Sequence, residues 1–277
     1  MSKKNKPQVV DKGDFTEVNI NIEMPRSWQE LSDKQLNYVF GLIADEYSLA
    51  QICIFCFVRW AGMRLVAPPA DVKLEKRDVC MEVRGYNVVF SADNLAEMSL
   101  MLKYLGEPSD VPVRPDTIGR KHPLTGRRQG KALPADFQQV PFRKFLFLEN
   151  LYQGFLATKN PKLLDDMVRI MYQCDALHPS SADGVMVFYW FASLKKVFSR
   201  QFPHFFKPSR DDGSSNLLGQ SLGRKLQESM DSQIRALTKG DVTKEREVLE
   251  VDTWRALAEL DALAREADEL ERKYPSK

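Results

Sequence analysis

Residues 107–136 contain five prolines and three glycines, and this stretch constrains the fold more than any other feature of the sequence. Proline lacks the backbone N–H that helices and central strands need, and glycine makes either element more costly to order. A connection of this length without regular structure is usually a functional loop or a linker. We therefore place the main boundary here, between a helical region with a small sheet over residues 15–106 and a helical domain over residues 137–240.

Two segments before this loop carry strand patterns. Between Phe15 and Met24, apolar residues alternate with polar ones, which is typical of a half-buried strand. Val79–Phe90 alternates in the same way on both sides of Arg84-Gly85, which predicts a β-hairpin with its turn at that dipeptide. We expect the strand and the hairpin to form one small antiparallel β-sheet.

Helix-start signals separate these strands. Ser32 followed by Gln35 is a capping box, in which each side chain accepts a hydrogen bond from the other residue's backbone, and it predicts a helix start. The segment from Ser48 to Trp60 is apolar nearly all round, which predicts a buried helix. A third helix is expected between Ser91, as its cap, and Gly106, as its stop.

The chain after the loop is predicted to be helical. Asn160-Pro161 combines a capping residue with proline at the first helical position. An aromatic-rich helix is expected over residues 183–201, and one charged helix over residues 241–277. The predicted fold class is therefore mainly α, with a small antiparallel β-sheet near the N-terminus.

Charge and hydropathy narrow the classes of function. The net charge of +2 over 277 residues does not by itself indicate a nucleic-acid or membrane partner. The longest apolar run, Ile52–Val58, is much shorter than the roughly 20 residues that a membrane-spanning helix needs, so we expect no membrane partner. Residues 1–14 are basic and polar and are expected to form a disordered arm.

Cys53 and Cys56 form a C-x-x-C pair that could bind a metal together with Cys174 and His178, or with Cys80. The pair lies inside a continuous apolar run, where free cysteine usually packs as a small hydrophobic residue. A redox-active pair would be expected at a helix N-terminus, and this pair lies farther along the helix. We expect buried cysteines, no metal and no cofactor.

The loop is basic between residues 114 and 131, with six basic residues and one acidic residue. Such a patch can contact phosphates or the acidic surface of a partner, and it can equally be a solvated loop. No aromatic residue is interleaved with these charges, which disfavours a stacking platform for single-stranded nucleic acid. The candidate phosphate or acidic-surface contacts are Arg120, Lys121, Arg127, Arg128 and Lys131.

The histidines and carboxylates do not form a known catalytic motif, so we do not expect an enzyme. Phe202–Phe206, with the sequence FPHFF, follows the aromatic-rich helix. Apolar residues around a proline at a helix exit can plug the core or dock a partner, and we favour the core plug.

A narrow apolar seam follows the charged C-terminal helix at spacings of three, four or seven residues. Between residues 241 and 273 this helix has eleven acidic and six basic residues, so its net charge is −5. A seam of this kind suits a coiled-coil-like contact with a partner helix or a second copy of the chain. The alternative is that the helix packs on its own domain. The candidate partner-binding residues are Trp254, Leu257, Leu260, Leu263, Ala267 and Leu270.

Several segments after the loop resemble helical proteins encoded in phage and prophage structural modules. They are PADFQQVPFRKFLFLENLYQGFLATKN, LLDDMVRIMY, FYWFASLKKVFSRQFPHFF and the ending ALTKGDVTKEREVLEVDTWRALAELDALAREADELERK. They are similar to the small helical proteins encoded near phage tail genes, including tail-assembly chaperones.

This resemblance implies a non-enzymatic assembly or scaffold protein that shields or guides a tape-measure-type partner until the tail tube polymerises. It implies a protein that stays in the cytoplasm of a bacterial host or associates with the virion. The alternative is a nucleic-acid-associated accessory protein that uses the basic loop at residues 114–131.

Overall fold

The computed structural model describes residues 9–12, 15–18, 20–68, 74–109, 132–207 and 220–274. Over these ranges the chain is mainly α-helical with a small antiparallel sheet, which confirms the predicted fold class. The elements are β1 (Val9–Lys12), β2 (Phe15–Val18), α1 (Asp33–Ala44), α2 (Leu49–Trp60), β3 (Arg64–Leu65), β4 (Asp78–Val83), β5 (Tyr86–Ser91), α3 (Ala92–Ser99), α4 (Phe142–Thr158), α5 (Pro161–Tyr172), α6 (Ser181–Gln201), α7 (Gln220–Thr238), α8 (Glu245–Glu250) and α9 (Thr253–Lys273). Short 3-10 helices cover Trp28–Glu30, Leu100–Gly106 and Val242–Lys244.

The chain divides into two compact units, each of which packs mainly on itself. The first comprises Met1–Glu30 with Ser48–Gly106, and the second comprises Leu31–Tyr47 with Glu107–Lys277. The sequence predicted a continuous region over residues 15–106, whereas α1 belongs to the second unit. The reason is the apolar face of α1, which packs on α6 and places the Phe40 ring 5.8 Å from that of Tyr189.

The first unit contains two sheets where the sequence predicted one. β2 pairs antiparallel with β1, from Val9 opposite Val18 to Lys12 opposite Phe15. Residues 9–12 are therefore a strand, although the sequence predicted disorder over residues 1–14. β2 ends at Val18, and residues 20–26 have no regular structure, although alternation continues to Met24.

The predicted hairpin is confirmed in the second sheet, which has the strand order β3-β4-β5. Its turn is at Arg84 and Gly85, which have φ angles of 50° and 88°. Two consecutive positive φ angles match the right-handed twist of the flanking strands, and glycine adopts them without strain. The third strand of this sheet is β3, which pairs antiparallel with β4, and not the segment after Phe15 that was expected to join the hairpin.

Helix α2 packs on α3 and on the 3-10 helix Leu100–Gly106, and it buries Ile52 and Phe57. A Cβ added at Gly106 would come within 2.6 Å of Leu49 Cδ2, so the exposed Leu49 side chain would have to shift. The predicted caps form at Ser32, Ser91 and Asn160, whose side chains accept hydrogen bonds from backbone N–H groups of the first turn. α2 has a second capping box, between Ser48 and Gln51.

Aromatic side chains from α4, α6 and the segment before α4 form the core of the second unit. The indole N–H of Trp190 donates to the carbonyl oxygen of Ala135 at 2.9 Å, so the largest buried side chain also satisfies its polar atom. The fully buried aromatic residues are Phe137, Phe142, Phe145, Trp190, Phe191 and Phe198, together with Phe40 of α1.

The sequence predicted one charged helix over residues 241–277, but the chain leaves helical geometry at Val251 and Asp252, between α8 and α9. Tertiary hydrogen bonds cause this break. The N–H of Phe142 donates to the Val251 carbonyl oxygen at 2.8 Å, and that of Thr253 donates to the Val140 carbonyl oxygen at 2.9 Å. Asp252 then caps α9 by accepting from the N–H of Arg255.

Leu257 and Leu270 lie on the same helix, and they provide a matched test of which half of α9 belongs to the core. Leu257 is fully buried, whereas Leu270 is 59% exposed. We expect Leu257→Ala to lower the free energy of unfolding by about 3 kcal/mol, because it leaves a cavity in the core. Leu270→Ala should change it by less than about 0.5 kcal/mol. Urea denaturation of both variants measures the difference, and equal effects would contradict the assignment.

Candidate functional site

One apolar stripe runs along most of α9. Its members follow each other at alternating spacings of four and three residues, the heptad pattern of a helix that packs along a partner helix. Burial along the stripe ends midway. Leu260 is buried, Leu263 is half-buried, and Leu270 and Tyr274 are 59% and 78% exposed. The stripe comprises Ala256, Leu260, Leu263, Ala267, Leu270 and Tyr274.

The first half of α9 packs on its own unit. Trp254 lies with its ring centroid 5.0 Å from that of Phe198 and 5.8 Å from that of Phe202, and its indole N–H donates to the Asp136 carbonyl oxygen at 3.0 Å. Leu257 and Leu260 are buried. Of the six candidate partner-binding residues, these three therefore contribute to the core, which is the alternative that the sequence left open.

The middle of α9 is held by the turn that follows α6. The Asp261 carboxylate accepts hydrogen bonds from the N–H groups of His204 and Phe205 at 2.8 and 3.0 Å. Asp268 pairs with Lys207 at 3.0 Å and lies 3.7 Å from His204 Nδ1. The hydrogen bond from Lys207 lowers the pKa of the Asp268 carboxyl, and the Lys207 charge and His204 lower it further. α9 is therefore anchored as far as Asp268.

The FPHFF segment supplies part of this anchor. Phe202 is buried beside Phe198 and Trp254, so it plugs the core as the sequence favoured. Phe205 and Phe206 are half-buried and pack edge to face, with ring centroids 4.9 Å apart. The sequence reasoning missed Asp261, because its role depends on backbone N–H groups more than fifty residues away.

Beyond Asp268 the helix presents apolar and charged side chains to solvent. Leu270 and Tyr274 continue the stripe. Charges of both signs flank them, and the exposed charged residues after Asp268 are Glu269, Glu271, Arg272 and Lys273. An exposed apolar stripe with charged flanks is the arrangement that pairs two helices, since the stripe supplies burial and the charges select the partner.

The buried position predicted for Cys53 and Cys56 is confirmed, and both are free thiols. Burial raises the pKa of the Cys56 thiol to about 12, with a further contribution from Cys53, and burial also raises the pKa of Cys53. Both thiols therefore stay protonated at neutral pH. Cys80 is buried in β4, and Cys174 and His178 belong to the second unit. Among the described residues, no group of three or more His, Cys, Asp or Glu side chains could hold a metal ion.

The five basic residues proposed to contact phosphates or an acidic surface lie outside the described residues. They are Arg120, Lys121, Arg127, Arg128 and Lys131. Nucleic-acid binding by this loop stays a prediction from the sequence. Within the described ranges, none of the helices combines the length and the apolar character needed to cross a membrane.

No protein-family model, curated protein or solved structure matches this chain. The candidate site therefore depends on the geometry of α9 and on the sequence patterns described above.

The cysteines differ in reactivity in a way that the structure predicts. At about pH 8 the folded protein should react with iodoacetamide at the half-buried Cys174 much faster than at Cys53, Cys56 or Cys80, because alkylation requires an accessible thiolate. Raising the pH to about 10 should still leave Cys56 unreactive, since its pKa of about 12 lies above that value. Mass spectrometry of tryptic peptides identifies the labelled sites, and guanidinium-unfolded protein is the control. Rapid labelling of Cys56 in the folded state would contradict its burial.

Proposed function

We propose that this protein is a non-enzymatic assembly or scaffold protein of a phage-like element, and that it binds a helical partner such as a tape-measure-type tail protein. The surface that carries the proposal is the distal part of α9, where Ala267, Leu270 and Tyr274 continue a buried stripe into solvent. The phage assignment is supported by the sequence resemblance of the segments from residue 134 onward.

The geometry of α9 favours a helical partner. Side chains that recur every three and four residues interlock with the side chains of one adjacent helix. An extended peptide has side chains that alternate every two residues, and this spacing does not match the stripe. The anchoring of α9 as far as Asp268 holds the exposed turns in place before binding. Less conformational entropy is then lost when a partner docks, which increases affinity.

Two exposed residues test the surface without disturbing the core. The double variant Leu270→Glu and Tyr274→Ser should weaken binding to the tape-measure protein of the same element at least tenfold, since burial of each side chain contributes about 1.5 kcal/mol or more. Its free energy of unfolding should change by less than about 0.5 kcal/mol. Isothermal titration calorimetry with the purified tape-measure protein measures the affinity, and urea denaturation checks the fold.

Val242→Ser is the matched control, because Val242 is 73% exposed in the same unit and lies off the stripe. It should bind as tightly as the unaltered chain. Light scattering after size-exclusion chromatography measures the mass of the protein without its partner. A dimer that the double variant loses would show that the stripe binds a second copy of the chain. Normal binding by the double variant would overturn the proposal. So would full tail assembly when the double variant replaces the unaltered protein in a host from which the gene for this protein is deleted.

A further inference from the structure

The ends of four helices in the second unit surround a pocket with a volume of about 690 Å³. α1 and α4 contribute their C-terminal ends, and α5 and α6 their N-terminal ends. The volume lies in the range of small-molecule binding sites. The pocket shares no residue with the α9 stripe, so its role is independent of the proposed function.

Aromatic rings form one wall of this pocket. Phe155 and Phe188 pack edge to face with their ring centroids 5.4 Å apart, and Tyr189 lies beside Phe188 at 6.1 Å. Helices α5 and α6 approach closely at Gly184, another lining residue. A Cβ added to this glycine would lie 3.0 Å from Leu164 Cβ. The wall is therefore apolar, offers aromatic faces, and is built on packed helices.

The charges at the C-terminal end of α1 are arranged against the usual rule for helix ends. The C-terminal end of a helix carries a partial negative charge and favours basic residues. α1 has no basic residue in its last turn, and Asp45 and Glu46 follow it directly. Glu46 and Asp165 both line the pocket, and neither forms an ion pair with another described residue. A cation would relieve this repulsion.

The positive N-terminal ends of α5 and α6 face the same pocket as the negative C-terminal ends of α1 and α4, so the helix dipoles largely cancel and the side chains set the charge. At α5, the Asn160 side chain accepts the hydrogen bond of the Lys162 N–H at 3.1 Å. At α6, the Asp183 carboxylate accepts from the Ser180 N–H at 2.7 Å, so an anion already sits at that positive end.

One cation of the chain itself already uses the aromatic wall. The Lys159 ammonium lies 5.6 Å from the centroid of the Phe155 ring, within the distance at which a ring face attracts a cation. Among the described lining residues, Lys159 is the one basic side chain, set against the carboxylates of Glu46 and Asp165. These lining side chains therefore carry a net charge of −1 at pH 7.

We propose that this pocket binds an ammonium or guanidinium group carried on an apolar body. The apolar body contacts Phe188, Tyr189 and the aliphatic wall, and the cationic group lies between Glu46 and Asp165. Such a group is found in free organic amines and in the lysine or arginine side chains of a protein, and the two sources share the chemistry that the pocket recognises.

Three probes of similar shape and different charge test the site: phenethylammonium, 2-phenylethanol and 3-phenylpropanoate. Titration calorimetry or ligand-observed NMR at pH 7 should give affinities in that order, with the cation bound about tenfold more tightly than the alcohol. For a ligand of this size we expect a dissociation constant on the order of 1 mM. Equal affinities for the three probes, or no binding of phenethylammonium, would overturn the proposal.

The double variant Glu46→Gln and Asp165→Asn should lose about tenfold in affinity for phenethylammonium and little for 2-phenylethanol, because only the cation interacts with the carboxylates. Glu259→Gln with Asp175→Asn is the matched control, since it removes two exposed carboxylates of the same unit outside the pocket. Circular dichroism confirms that both variants fold. Equal losses of affinity for phenethylammonium in the two double variants would show that the net charge of the protein, and not this pocket, attracts the cation.

The capped dipeptide N-acetyl-phenylalanyl-lysine amide distinguishes the two sources. Binding at least tenfold tighter than that of phenethylammonium assigns the site to a basic side chain of a protein partner. Binding that is weaker, or less than tenfold tighter, assigns it to a free amine. Either result, with the loss expected in the Glu46→Gln and Asp165→Asn variant, supports a cation site.

Discussion

The Phe198 ring contacts aromatic side chains from two other helices and one connecting segment of the second unit. Its centroid lies 5.0 Å from that of Trp254 in α9, 5.7 Å from that of Phe145 in α4 and 6.4 Å from that of Phe137 in the segment before α4. Phe202, at the exit of α6, completes the cluster. Because rings in contact from three helices and one connection exclude water together, the position of α9 depends on the same packing as the core of α4 and α6.

Helix α9 is packed on its own unit over its first part and exposed over its last turns. Between Thr253 and Asp268, α9 is fixed by buried apolar side chains, by Asp261 and by the Lys207 pair. The last turns extend from that support with Leu270 and Tyr274 exposed. A partner that contacts these turns is therefore coupled through a continuous helix to the aromatic cluster at Phe198.

The features that were predicted from the sequence are local ones. The capping box of Ser32 with Gln35 and the turn at Arg84-Gly85 depend on residues a few positions apart, and both form as expected. The break before α9 was missed, because it requires hydrogen bonds between Thr253 and Val140, which are 113 residues apart. The pairing of β2 with β1 was also missed, since residues 1–14 as a whole are basic and polar and two valines are too short an apolar signal to predict a strand.

The candidate site also has parts that the sequence predicted and parts that it did not. Helical periodicity located the stripe on α9, but only the packing of Trp254 on Phe198 shows which half of it is core. The pocket was not predicted at all, because its lining comes from four helix ends. One signal was present in the sequence: Asp45 and Glu46 follow the end of a helix, where acidic residues are unfavourable.

The membership of α1 in the second unit determines how this protein can be dissected. The chain passes from one unit to the other at residues 30–31, 47–48 and 106–107, so the first unit is interrupted in sequence. A fragment that starts at Glu107 would lack α1 and would expose the face of α6 that Phe40 covers at Tyr189. The complementary fragment would carry α1 without its packing surface. A single cut therefore cannot yield two complete units, and a circularly permuted chain, or a linker that replaces residues 31–47, would be needed to isolate the first.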